Sequence, residues 1–281
     1  MTGRGRSGGP RDGHRGGPRR GRSGDRAGRR IDPPYFDTVA ARRRARLVAE
    51  IAPEGLRGFV EPYLDGGATA LAVLQRLPEV SVTLASTVDD IVTTWEVVRD
   101  DPEALIGAVR SFVEGHSEAQ FLAVRGQGSG SPLERAARFC YLRGAAAPDA
   151  RGRPPRAVDG ALPGREAVVF DEANVRALSA LLARSDVTLV RASPFALLPR
   201  VQDEDLVYLD TLIAQAEEGD GADPTRGSAA DREVRSLVGA ITARGGFAVA
   251  PAGLAGLTPV HDELWGSGNL KRALAREAAD R

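Results

Sequence analysis

The sequence predicts an α/β fold: a mostly parallel, Rossmann-like sheet flanked by helices, with a helical insertion after its first two strands. Three observations carry this. The stretch from Leu56 to Leu77 reads as strand, tight glycine turn and helix. An apolar run (Leu56, Phe59, Val60) ends in Glu61, Pro62 and the pair Gly66 and Gly67, and apolar residues then recur at helical spacing (Ala70, Leu71, Val73, Leu74, Leu77). Short runs with strand character recur at 80–84, 187–190, 205–210 and 247–250, separated by helical patterns. Between 101 and 183 the patterns are helical, which places the insertion.

The bulk properties exclude several classes. A chain of 281 residues buries one substantial core, or one sheet domain with an insertion. No apolar run approaches the length of a membrane span, and the N-terminus lacks an apolar signal core. The expected compartment is therefore cytoplasmic, with no membrane partner. The single cysteine, Cys140, excludes an internal disulfide and a cysteine-based zinc site, so no metal is expected. Cys140 lies in an apolar helical stretch, 136–142, and reads as core.

In order along the chain, residues 1–30 form an Arg/Gly tail with ten arginines against two aspartates. It has almost no apolar side chains to bury, so it is expected to be disordered and suited to sequence-blind phosphate contact, or to act only as a solubilising tail. Residues 31–100 and 184–281 are expected to build the two parts of the sheet domain, around the insertion at 101–183. A helix is expected over 43–51. Residues 80–84 alternate as a half-buried strand, with Asp89 and Asp90 as N-cap and first-turn acids of the next helix. Trp95, with Ile91 and Val98, reads as core. Helices are expected at 104–113, 133–142, 171–182 and 231–244, and a mobile acidic loop at 217–227. His261 reads as a surface helix residue, and no strand is expected after it.

The glycine turn is ambiguous by pattern alone, because tight strand-to-helix turns use Gly-Gly without any ligand. Its wording is more specific. Phe59-Val60-Glu61-Pro62-Tyr63-Leu64-Asp65-Gly66-Gly67-Ala68 resembles the first motif of Dam-type DNA adenine-N6 methyltransferases, a Phe-x-Glu-Pro-Phe-x-Gly-Gly-Gly run that holds S-adenosylmethionine. Asp65 stands in the place of that motif's first glycine. Asp205-Leu206-Val207-Tyr208-Leu209-Asp210 resembles the strand that carries the family's catalytic motif, and Ile91 to Ile106 resembles its lead into the insertion. The likenesses run colinearly from about Tyr35 to Trp265.

The resemblance implies a methyltransferase sheet with S-adenosylmethionine held by Glu61, Pro62, Tyr63, Gly66 and Gly67. It implies Asp210 as the catalytic acceptor of the target amine, and the insertion as a target-recognition region. Arg143, Arg151, Arg153 and Arg156 are then expected to meet DNA phosphates. Several motif positions depart from the family. Thr211-Leu212-Ile213 replaces Pro-Pro-Tyr after Asp210, and Ser86 replaces the acid at the end of the second strand. Ala192-Ser193-Pro194-Phe195 lacks the acid of Gly-Asp-Phe, and residues 35–42 lack the family's cofactor-side Lys-Trp-x-Gly-Gly-Lys run. Residues 149–160 lack the Asn and aromatic base readers, and Pro154-Pro155 argues against a hairpin there. Asp32-Pro33-Pro34-Tyr35 matches the catalytic motif in letters, but no strand leads into it, so it reads as coincidence. The expectation is a weakly active or inactive member of that family. The alternative is a non-catalytic DNA-binding or interaction module on the same scaffold.

Overall fold

The computed structural model describes residues 30–35, 37–128, 130–149, 152–210, 229–254 and 256–280. The expected tail up to residue 29, Arg151, residues 211–213 and the loop 217–227 lie outside the described residues. The described residues from Ile31 onwards fold as one compact unit.

A seven-stranded sheet runs in the order β3-β2-β1-β4-β5-β7-β6. Its strands are β1 (Gly58–Glu61), β2 (Ser81–Ser86), β3 (Val187–Arg191), β4 (Leu206–Tyr208), β5 (Phe247–Pro251), β6 (Thr258–His261) and β7 (Leu264–Gly266). The first five are parallel, with Phe59 opposite both Val82 and Leu206. β7 runs antiparallel to both β5 and β6. The segment 3-2-1-4-5 is the order of a doubly wound nucleotide-binding sheet, in which ligands sit outside the carboxyl ends of the strands.

Alternation along each strand sorts the side chains to two faces. Phe59, Leu206, Tyr208, Phe247 and Val249 enter one buried cluster, while Val60, Val207, Ala248 and Ala250 enter the other. The first face is covered by α1 (Val39–Ile51), α2 (Ala68–Arg76) and α3 (Asp89–Asp100), with α9 (Gly268–Ala279) contributing Leu270 and Ala273. The second is covered by a 3₁₀ turn (Pro194–Arg200) and α8 (Ala229–Thr242), through Leu197, Val234, Leu237 and Ile241. Helices on both faces of a mostly parallel sheet make the α/β class.

The insertion holds α4 (Pro102–Glu114), α5 (Glu118–Arg125) and α6 (Pro132–Ala145), followed by α7 (Glu172–Arg184). α6 starts at a capping box of Ser131 and Glu134, with Pro132 in its first turn. Its residues from Ala136 to Ala145 are all buried, as expected of a helix enclosed on every side. Val109, Phe121, Phe139 and Tyr141 belong to the same cluster as Phe59 and Leu71, so the inserted helices extend the sheet's own core.

The C-terminal part corrects the sequence reading. Residues 258–266 form strands, with His261 closing β6 and its Nδ1 accepting from the Glu263 N–H. Pro259 sits in the edge strand, where a missing ladder donor costs little. α3 begins at Asp89 with Val88 as its N-cap, so both acids are first-turn residues. No named strand falls within the described part of 149–160, in line with the two prolines.

Candidate functional site

At the carboxyl end of β1 the chain turns sharply into α2, and Gly67 makes the turn possible. It caps the helix in the left-handed region (φ 73°), and a Cβ there would collide with Trp95 Cζ2. Trp95 is fully buried, the core role expected of it. Gly66 is confined from the other side, since its Cβ would meet Asp37 Oδ2 at 2.9 Å. The Leu64 N–H donates to the Ala85 carbonyl at 2.8 Å, tying the turn to β2.

Glu61, the last residue of β1, is buried and accepts the Ala70 N–H at 3.1 Å. An acid there complements the unpaired N–H groups and the positive end of α2. Burial, and then the nearby charge of Asp210, raise its pKa to about 8. Asp210 follows β4 and is itself buried. Both acids line one small cleft with Asp37, Arg44, Gly66, Gly67 and Tyr208. Burial, with Asp65 nearby, raises Asp37 to about 6. Arg44 lies beside Tyr208 and Asp210 in this cleft. Burial opposes its charge, but Tyr208 and Asp210 outweigh it and keep the guanidinium's pKa raised. The segment 35–42, expected to have lost its site residues, thus supplies Asp37, and the helix after it supplies Arg44.

Asp65, the residue in the first-glycine place, forms the ion pair beneath the turn. Arg143 Nη1 meets its Oδ1 at 2.7 Å and Nη2 meets its Oδ2 at 3.2 Å. Burial alone would raise the Asp65 pKa, but the guanidinium holds it below the usual carboxylate range. Arg143 is completely buried, with its guanidinium carbon 4.8 Å from the Tyr35 ring centre and 5.7 Å from that of Phe139. The Tyr35 hydroxyl donates to the Asp65 carbonyl. Asp32-Pro33-Pro34-Tyr35 is therefore a brace behind the glycine turn, with the Asp32 N–H bonded to Asn174 Oδ1 at 2.9 Å. No strand leads into it among the described residues.

The expected site residues separate on this geometry. Glu61, Gly66, Gly67 and Asp210 converge on the cleft. Tyr63 turns to the opposite face of the sheet, where its hydroxyl donates to Glu233 Oε1 at 3.0 Å; Pro62 is buried, and neither lines the cleft. Arg143 is enclosed and offers nothing to phosphates. Arg153 binds the Asp149 carboxylate (Nε to Oδ2 3.0 Å). Arg156 Nη2 donates to the Leu64 carbonyl at 2.9 Å and to Ser86 Oγ at 3.0 Å. Ser86 Oγ also accepts the Val88 N–H at 3.2 Å, closing the turn at the end of β2.

S-adenosylmethionine does not fit the cleft as the chain lies. Arg153 and Pro154 are among the residues that line it, and its volume is about 40 Å³. Sites for small molecules typically occupy about 300–1,000 Å³. A larger cavity of about 530 Å³ adjoins it, and Asp65, Arg153 and Pro154 line both. Among the described residues no group of three or more His, Cys, Asp or Glu could hold a metal, and no helix is long and apolar enough to cross a membrane. Cys140 is a free, buried thiol that burial pushes up to about 12. No protein-family model matches the chain, and no match was found among curated proteins.

Proposed function

We propose that this chain is a degenerate member of the Dam-type DNA adenine-N6 methyltransferase family, with a methyltransferase sheet and little or no transfer activity. One observation carries the reading: Glu61 and Asp210, from adjacent parallel strands, face one cleft at the carboxyl edge of a 3-2-1-4-5 sheet. The resemblance assigns those two positions to cofactor and target amine, and the fold brings them together. A doubly wound sheet binds its ligands at this edge.

The low activity rests on the sequence around the cleft. Thr211-Leu212-Ile213 offers no aromatic face for a swung-out base, and Ser86 offers no carboxylate to ribose hydroxyls. Loss of one catalytic hydrogen bond costs about a hundredfold or more, so parallel losses leave little rate. The test is labelled methyl transfer to mixed-sequence duplex DNA, by the unaltered protein and by the triple variant Thr211→Pro, Leu212→Pro, Ile213→Tyr. The expected result is background incorporation by the first. Robust incorporation by it would refute the impaired-enzyme reading.

A second reading, a non-catalytic DNA-binding module, is favoured by the small volume of the cleft, about 40 Å³. With Arg143 enclosed and Arg153 and Arg156 bonded within the chain, phosphate contact falls chiefly to the Arg/Gly tail. A salt series of DNA binding with and without residues 1–30 tests this. The tail should account for most of the slope of log affinity against log salt.

A further inference from the structure

The mismatch between cleft and cofactor has a local cause in residues 152–157. After α6 the chain leaves the helical layer, and the Ala147 N–H donating to the Leu162 carbonyl at 2.7 Å pins the ends of the excursion together. Between those ends the segment lies across the carboxyl edge of the sheet. Asp149 holds one side, its carboxylate accepting the Arg153 N–H at 2.8 Å. The other side is held by Arg138, paired with Asp159. Pro154 and Pro155 stiffen the crossing by fixing φ and removing two donors.

Arg156 lies where the two strand ends meet. Its Nη2 reaches the Leu64 carbonyl after β1 and the hydroxyl of Ser86, the last residue of β2. In a doubly wound sheet the end of the second strand is the place that receives a nucleotide's sugar. The neighbouring Pro155 carbonyl accepts from Arg143 Nη1 at 3.2 Å, so the crossing is also tied to the buried Asp65–Arg143 pair. The cleft of about 40 Å³ and the cavity of about 530 Å³ lie to either side of Arg153 and Pro154.

We propose that residues 152–157 are an autoinhibitory strap: the guanidinium of Arg156 stands in for a nucleotide's sugar, and lifting the strap joins the two cavities into one nucleotide-sized site. This rests on the nucleotide-cleft reading above. A nucleoside ligand and Arg156 then compete for the Leu64 carbonyl and Ser86, and the apparent affinity is reduced by the small fraction of molecules with the strap lifted. Ser86 has a use in this arrangement: its hydroxyl accepts from Arg156 and from the Val88 N–H together.

The test uses the full chain and two variants. Arg156→Ala removes the strap's hold, and Ser86→Ala removes one of its acceptors with little change in volume. Two quantities are measured on each: amide exchange of peptides covering residues 152–160, without ligand, and equilibrium binding of S-adenosylmethionine. Arg156→Ala is expected to exchange at least tenfold faster and to bind at least tenfold tighter than the unaltered protein, with Ser86→Ala between the two. Unchanged exchange in both variants overturns the strap and leaves the nucleotide reading standing. Equal binding by all three proteins also overturns the strap. Faster exchange with no binding by any of them overturns the nucleotide reading, and the inhibitory role with it.

Discussion

β1 and β2 lie side by side, in register from Gly58 opposite Ser81 to Glu61 opposite Leu84, and end at the same edge of the sheet. β1 ends in a buried acid, a left-handed glycine and a helix whose first turn is open to the cleft. β2 ends in a serine occupied by an arginine from residues 152–157. The first end keeps the form of a ligand-binding turn, while the second is closed by the protein's own chain. Scaffold geometry and ligand chemistry are therefore separable. Gly67 is held by Trp95 behind it and by backbone conformation, whether or not a ligand binds, and nothing of that kind holds an acid at position 86.

The largest effect is expected under the glycine turn. Removing one partner of a buried ion pair leaves the other charge uncompensated, so Arg143→Ala should cost about 3–5 kcal/mol in denaturant unfolding. Asp65→Gly, which introduces the glycine of the motif that this turn resembles, should be nearly as damaging for the same reason. Adding Arg143→Leu to it should recover most of the loss. If the two single changes simply add, the pair is not the unit described here.

Next is Gly67→Ala, expected to cost about 2–4 kcal/mol from the left-handed backbone and the contact with Trp95 together. The same change at Gly55, where a Cβ meets nothing, is the control.

Smaller, and visible as a slope, is the pH dependence. Glu61 titrates at about 8 and Asp37 at about 6 in the folded protein, both above their ordinary values of 4.5 and 3.8. The folded state then binds more protons than the unfolded state between those limits, so stability falls as pH rises from about 4 to about 8. Glu61→Gln should flatten the part from pH 6 to 8. An unchanged slope there would remove Glu61 from the buried cluster.

The smallest effect is at the other strand end. Ser86→Asp sets a carboxylate beside Arg156, but position 86 is buried, so desolvation of the acid offsets the new ion pair and the gain should be about 1 kcal/mol or less. It would make the two strand ends alike in sign, and a large gain would mean Arg156 is less well satisfied than its two acceptors suggest.

Much of this fold was legible in the sequence because periodicity is local. The alternation at 80–84, the short apolar run at 247–250 and the Leu71, Val73 and Leu74 spacing needed no tertiary information. Strands β6 and β7 were not legible, since Thr258 to His261 and Leu264 to Gly266 are too short to show a period, and their pairing supplies the signal. Within the site, Glu61, Gly67 and Asp210 stood out by wording, whereas Asp37 and Arg44 reach the cleft only through the path of the chain around Tyr35. Arg143 shows the limit most clearly. An arginine inside the apolar run 136–145 and an acid inside a glycine turn are each anomalies, but they lie 78 residues apart and pairing them takes the fold. The resemblance turned Arg143 outward to phosphate, and burial puts it inside.

The juxtaposition of Glu61 and Asp210 is tested most directly by titrating the Glu61 carboxyl through a carbon-13 label, in the unaltered protein and in Asp210→Asn. The expected result is a midpoint near 8 that moves down when the neighbouring charge is removed. A midpoint near 4.5 in both proteins would contradict the buried, shared cleft on which the functional reading stands.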